Sequence, residues 1–264
     1  VPLTAQEPNF GRAMEMTPTD LIIGQPVNWY GPGTVYAYSA SQEGWKDPQL
    51  LTAPDSSRMD DFGRAIALDG NTMVIGAPRK HDQIGAVYVF DRAGTETPWE
   101  ITGTIMPPVS EVPGQMGTAV VLQGNDLLVG APSTGRTGSV YHYRRSGGAW
   151  SLETTITPEG EVAGFGTALA WNADDLLVGA PTADDGRGRV YALSLLETGG
   201  WGEAGQIELI GTANNENARA GTSITLGNDH ALVGAPGTAS VAVLRISDGD
   251  TWSHTETLDA PEGA

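Results

Sequence analysis

A fixed distance between two glycines constrains this chain more than any other feature. A Phe-Gly-like pair recurs five times, as Phe10-Gly11, Phe62-Gly63, Met116-Gly117, Phe165-Gly166 and Ala220-Gly221. Each is followed 13 positions later by a Gly-Ala-Pro-like triplet (11 to 24, 63 to 76, 117 to 130, 166 to 179, 221 to 234). A period of about fifty residues with an invariant internal spacing defines an array of one supersecondary unit. The copies span approximately residues 10–61, 62–115, 116–164, 165–219 and 220–264. Residues that recur in register are therefore scaffold, and function is expected where the copies differ.

Each copy reads as four short strands. The first follows the Phe-Gly pair (Ala65–Leu68, Ala168–Trp171). The second is continuously apolar (Met73–Ile75, Leu127–Val129, Leu176–Val178) and runs into Gly-Ala-Pro, as expected of a strand covered on both faces. Turn chemistry separates the two: Asp69-Gly70-Asn71, Gly124-Asn125-Asp126, Gly227-Asn228-Asp229. The third carries a Val-Tyr alternation (Val35-Tyr36, Val87-Tyr88, Val140-Tyr141, Val190-Tyr191), and the fourth a tryptophan (Trp45, Trp99, Trp150, Trp201, Trp252), read as core. A small four-stranded sheet cannot bury both faces alone. Stacking such sheets around an axis does, which predicts an all-β, single-domain β-propeller of five four-stranded blades over residues 1–264.

Phe-Gly, 13 residues to Gly-Ala-Pro, then Gly-x-Val-Tyr resembles the FG-GAP repeat, which builds the integrin-α-like propeller and many secreted or surface proteins of bacteria and archaea. The resemblance implies an extracellular or cell-surface location. Family propellers usually have seven blades, and this chain shows five copies. Some family blades carry an acidic calcium loop of the form Asp-x-Asp-x-Asp-Gly. The nearest runs here, Asn172–Asp175 and Thr182–Gly186, lack the spacing to supply enough oxygens. No cofactor is expected, and a structural calcium is not supported by motif.

Composition excludes several functions. The chain has 32 acidic against 14 basic residues, a net charge of −18, which speaks against a nucleic-acid partner. With no cysteine, disulfides and thiolate chemistry are out. No apolar run is long enough for a membrane span, so no membrane insertion is expected.

The segments after Gly-Ala-Pro share neither length nor chemistry, and variable loops on a rigid scaffold are where binding sits. They supply the candidate ligand-binding residues: Trp29, Tyr30, Arg79, His81, Asp82, Arg136, Asp184, Asp185 and Arg187. Trp29-Tyr30, before Gly31-Pro32, suits stacking on a sugar or anchoring a protein partner. Arg12 and Arg64 follow the Phe-Gly pair where the other copies have Thr118, Thr167 and Thr222. They are expected to line the axial mouth and attract an anion, or to pair with local Asp. No catalytic residue and no metal ligand is assigned. The expected function is non-enzymatic recognition or adhesion, binding an extracellular glycan or protein. The alternatives are a polysaccharide-acting hydrolase or lyase, and a purely structural module.

Overall fold

The computed structural model describes residues 9–26, 31–108, 113–172, 175–196, 200–202, 205–207, 216–247 and 251–261. The protein is all-β, with five antiparallel sheets in chain order, one per sequence copy. Sheet 1 runs Ala13–Met16, Asp20–Gln25 and Thr34–Ser41, its fourth edge being divided into Gly44–Trp45 and Gln49–Leu51. Sheet 2 comprises Ala65–Asp69, Thr72–Ala77, Ala86–Asp91 and Glu100–Ile105. Sheet 3 comprises Ala119–Gln123, Asp126–Ala131, Ser139–Ser146 and Ala149–Ile156. Sheet 4 comprises Ala168–Trp171, Asp175–Ala180, Arg189–Ser194 and Gly205–Ile207. Sheet 5 comprises Ser223–Leu226, His230–Ala235, Ser240–Ser247 and Thr251–Asp259. The chain divides into two compact units, residues 1–129 with 143–152, and residues 130–142 with 153–264.

The repeated residues now have physical reasons. The Gly of each of the first four Gly-Ala-Pro-like triplets lies against the Gly of the following Phe-Gly. A Cβ on Gly76 would stand 2.0 Å from the Gly117 carbonyl oxygen, and one on Gly179 2.1 Å from that of Gly221. The glycine opening each Gly-x-Val-Tyr does the same: Cβ atoms on Gly85 and Gly188 would meet the carbonyls of Met116 and Ala220 at 2.2 Å. Backbone touches backbone, and only glycine fits. Phe and Tyr of one copy form an edge-to-face pair, Phe62 with Tyr88 at 5.5 Å and Phe165 with Tyr191 at 5.4 Å between centroids. The fifth copy has lost both partners together, with Ala220 and Ala242 in their places. The central strands of sheets 2, 3 and 4 are buried on both faces, as their apolar runs require.

Arginine bolts join sheets in the first unit. Arg92, just past the third strand of sheet 2, donates Nη1 and Nη2 to the Asp20 carboxylate at 2.6 and 2.8 Å, and both side chains are buried. Arg145 of sheet 3 grips Asp91 of sheet 2 in the same bidentate way, at 2.8 and 2.7 Å. Each guanidinium also lies over a repeat tryptophan, Arg92 at 4.2 Å from the Trp99 ring and Arg145 at 5.8 Å from Trp150.

This corrects one expectation. Trp45 is not core but 45% exposed. Ala40 stands where Arg92 and Arg145 stand in the next two copies, so no guanidinium covers its indole.

Two expected outcomes follow from these contacts. Gly76→Ala should cost about 3 kcal/mol or more, because backbone must move, whereas Gly94→Ala, in open space, should stay within about 0.5 kcal/mol; paired denaturant curves check this. Burial pushes the Asp20 carboxyl up, but hydrogen bonds from Arg92, Thr19 and Thr17 outweigh it and hold it below the ordinary 3.8. Its contribution is therefore present above that value and lost as pH falls through the depressed one. Asp20→Asn, which strands the buried Arg92, should cost about 3–5 kcal/mol at neutral pH, with the gap to wild type narrowing in acid.

Candidate functional site

The position just before each Phe-Gly pair must turn the chain into the first strand, and it does so with a left-handed backbone. Asn9, Asp61, Gln115, Gly164 and Arg219 have φ of 74, 60, 56, 81 and 57°. The carbonyl there accepts from the amide three residues on, as in Arg64 N to Asp61 O at 3.0 Å and Thr167 N to Gly164 O at 3.1 Å. Gly164 suits the conformation. A residue with a Cβ is strained there by about 1 kcal/mol, yet four copies carry polar side chains of four kinds.

Three residues on, the hydroxyls of Thr118, Thr167 and Thr222 reinforce the turn, each donating to that same carbonyl at 2.7 Å. These threonines are structural. Arg12 and Arg64 keep the backbone turn, but a guanidinium cannot make the short hydroxyl bond. Arg64 is half-buried, and burial and the neighbouring Arg12 hold its proton affinity down against the pull of Asp61. The two arginines and Asp61 thus act on one another electrostatically.

Asp61 is the unusual member. It is buried, with Arg79 Nε at 3.3 Å from Oδ2. Its Oδ1 is closed from solvent and has no hydrogen-bond partner among the described residues. Burial raises its pKa above the usual carboxylate value; Arg79 and Arg64 oppose this and Asp60 adds to it.

Its surroundings are pinned. Lys80 is buried, with Nζ on Asp60 Oδ2 at 3.1 Å, on the Asp55 carbonyl, and 3.3 Å from Asp55 Oδ2. Tyr88 donates its hydroxyl to Asp55 Oδ1 at 2.7 Å, and Asp60 also accepts from the Ser57 amide at 2.7 Å. Beside this network opens a cleft of ≈ 500 Å³, lined among others by Arg58, Asp60, Arg79, His81 and Asp82.

Three expected ligand residues, Arg79, His81 and Asp82, therefore share one cleft. His81, Asp82 and Gln83 are consecutive left-handed residues, φ 49, 56 and 72°, in a turn closed by the Gly85 amide on the Lys80 carbonyl at 2.9 Å. The fourth copy repeats the turn with Asp184 and Asp185 at 50 and 56°. There Asp184 is held by Arg189, Nη2 to Oδ1 at 2.6 Å, and Arg187 lies 3.7 Å from Glu216. Asp185 is exposed at the tip. Arg136 forms an exposed pair with Glu161 at 3.1 Å. Trp29 and Tyr30 lie outside the described residues. Sequence reasoning passed over Asp60, Asp61 and Lys80. The available signal was the position before Phe-Gly, which differs in all five copies.

Among the described residues no three His, Asp or Glu side chains converge to hold a metal, and no helix is long and apolar enough to cross a membrane.

A family model described as "FG-GAP repeat" matches residues 45–90, so the chain carries an FG-GAP repeat there. No curated protein matches the sequence. Among solved structures, the chain resembles the periplasmic gluconolactonase of Pseudomonas aeruginosa, at 12% identity and a TM-score of 0.63, over 93% of this chain and 69% of that one. It resembles a candidate 6-phosphogluconolactonase of Bacteroides uniformis at 14% identity and a TM-score of 0.65, over 92% and 68%. A lectin of Aleuria aurantia follows at 14% and 0.55, over 93% and 77%. At such identities the likeness establishes a shared propeller-like all-β fold. It also corrects the expected function. Lactonases stand among these neighbours, which favours the hydrolase alternative over a non-enzymatic adhesion module.

The direction of the Asp61 shift gives a stability test. A carboxyl whose folded pKa is raised favours folding below the unfolded value and loses that contribution as pH rises through the raised one. Asp61→Asn should therefore melt higher than wild type at pH 7, and the gain should vanish as pH falls toward the ordinary 3.8. Melting curves across that range check the sign.

Proposed function

We propose that this protein is a β-propeller hydrolase, built of FG-GAP-type blades, that opens the ester bond of a sugar-derived lactone. Asp61 is the proton-transfer group, and Arg12, Arg64 and Arg79 hold the developing negative charge. The observation that carries the reading is Asp61 itself, a buried carboxyl with one unpaired oxygen, an elevated pKa and arginines around it, on a backbone position that copy four fills with glycine. A raised carboxyl among positive groups, one of which, Arg79, lines the cleft, is an arrangement suited to acid–base chemistry.

The chemistry balances as a simple hydrolysis. The Asp61 carboxylate accepts a proton from water as the oxygen attacks the lactone carbonyl. The guanidiniums stabilise the tetrahedral oxyanion. The ring C–O bond breaks, and the proton returns to the departing alkoxide, leaving a hydroxy acid whose carboxylate the same arginines can hold. An acceptor of raised pKa is a stronger base than an ordinary aspartate. Arg79, His81 and Asp82 would then orient the sugar hydroxyls in the cleft. The lactonase neighbours support the substrate class, and the lectin neighbour supports a carbohydrate component. An extracellular or surface location is kept as part of the proposal.

The test is a pH-stat assay on glucono-δ-lactone, its phosphorylated analogue and neutral polysaccharides. Lactone opening above the buffer rate is expected, with kcat/KM about 10²-fold lower or more in Asp61→Asn. Arg64→Met should weaken both turnover and product inhibition. Opening at the buffer rate by the folded wild type, or full activity in Asp61→Asn, would overturn the assignment.

A further inference from the structure

Lys80 is out of keeping with the rest of this chain. The ion pairs that join sheets are made by Arg92 and Arg145, and arginine stays charged under all ordinary conditions. Lysine occurs only at 46 and 80. Lys46 forms an exposed pair with Glu96, whereas the side chains of Lys80 and its partner Asp60 are 2% and 5% exposed. The places of Asp60 and Lys80 in the repeat are held by Gly114 and Thr134, Ala163 and Ala183, and Ala218 and Thr238 in the last three copies. The fold therefore asks for neither charge here, and burying them carries a desolvation cost that the small residues avoid.

The amine is surrounded by oxygens held in place. Nζ lies 3.1 Å from Asp60 Oδ2 and 3.3 Å from Asp55 Oδ2, and it donates to the Asp55 carbonyl. Asp60 Oδ2 also accepts from the Ser57 amide at 2.7 Å, which fixes the carboxyl. The buried Tyr88 donates to Asp55 Oδ1 at 2.7 Å and so leaves Oδ2 turned toward the amine. A buried amine, a buried carboxyl against it, and a second carboxyl able to carry a proton between them are the three parts of an amide condensation.

We propose that Lys80 and Asp60 join in an intramolecular isopeptide bond, with Asp55 as the proton carrier. A proton first passes along the hydrogen bond from Nζ to Asp60 Oδ2, leaving a neutral amine beside a carboxylic acid. In a buried pair this exchange removes both charges together. The amine then attacks Asp60 Cγ. Asp55 Oδ2 accepts a proton from the nitrogen and returns it to the hydroxyl on Cγ. The C–O bond breaks, and water leaves into the cleft that Asp60 lines. The Nζ–Cγ amide is formed, Asp55 is regenerated, and nothing is oxidised or reduced. Fixed geometry takes the place of an activated carboxyl, since effective molarities of well-oriented groups reach about 10⁵–10⁸ M. The bond ties residues 20 positions apart, in a chain with no cysteine to form a disulfide. It rests on the geometry of this cluster and is independent of the lactonase reading.

Intact mass spectrometry of the full chain under denaturing conditions is the test. The expected mass is that of the sequence less one water. Trypsin should then release peptide 59–64 joined to peptide 80–92 through Lys80. The double change Asp60→Ala with Lys80→Ala restores the pairing of the fourth copy and should give the full sequence mass. Asp55→Asn keeps the shape of the side chain and should slow bond formation about 10²-fold, so that freshly made protein runs at full mass with an unchanged far-UV spectrum. A wild type at full sequence mass overturns the proposal, whatever the variants do. A lost water that maps elsewhere, such as to a succinimide at Asp185-Gly186, or that persists in the double variant, overturns it as well. Complete cross-linking in freshly made Asp55→Asn overturns the part given to Asp55.

Discussion

The contact on which this structure depends is backbone against backbone, the glycine of one Gly-Ala-Pro on the glycine of the next Phe-Gly. Sheets packed through side chains ordinarily lie about 10 Å apart. Glycine at both surfaces lets the strands approach until a single methyl would overlap a carbonyl by more than 1 Å, as at Gly76 and Gly117. That proximity fixes the register of one sheet on the next, because sliding by one residue would bring a Cβ into the contact. The lone parallel bridges Gly85 to Met116, Gly138 to Phe165 and Gly188 to Ala220 mark the same seam. The spacing of 13 is thus the length of the first hairpin, measured between its two points of contact with neighbours.

Around that seam the copies differ in how they bind one another. In the first unit, arginines reach across from one sheet to a carboxylate on the sheet before it, and a tryptophan lies over each guanidinium. Burial of such pairs adds little net stability unless every donor is satisfied. Here it is nearly so: Arg92 has Asp20 on both terminal nitrogens and Asn71 on Nε at 3.2 Å. Later copies carry Leu195 and Ile246 at that position, and the fourth copy meets the third through aromatic packing instead, His142 against Trp201 at 6.2 Å between centroids. The repeat tolerates either solution because the glycine seam already sets the geometry.

How much could be read from the sequence follows from this division. The strands, the turns and the five sheets were legible because glycine spacing and period-two patterning are properties of the backbone, and the backbone repeats. The tryptophans were only partly legible. Their register was plain, but whether one is buried depends on what covers it, and Trp45 has Ala40 where Trp99 has Arg92. Part of the candidate cleft was visible as the variable residues Arg79, His81 and Asp82. Asp61, which touches the cleft only through Arg79, was not, because its strangeness lies in a φ of 60° and a buried oxygen without a partner among the described residues. Neither leaves a motif in the chain.

Asp61 and the arginines near it illustrate where a repeat array has room for chemistry. Motif positions are occupied by the demands of packing, and loop tips such as Asp184 and Asp185 are too exposed to hold a carboxyl away from water. The residue before Phe-Gly is neither. Its carbonyl is committed to the turn, so its place is rigid, while its side chain is left unspecified by the repeat. Glycine would relieve the strain, and one copy uses it. Retaining Asp there costs conformational energy and desolvation together, and both terms oppose stability at neutral pH. A residue that is doubly unfavourable to the fold, on a position the fold does not otherwise constrain, is where a functional explanation is most needed. The neighbouring arginines offset part of the cost by attraction, yet they leave one oxygen without a partner among the described residues.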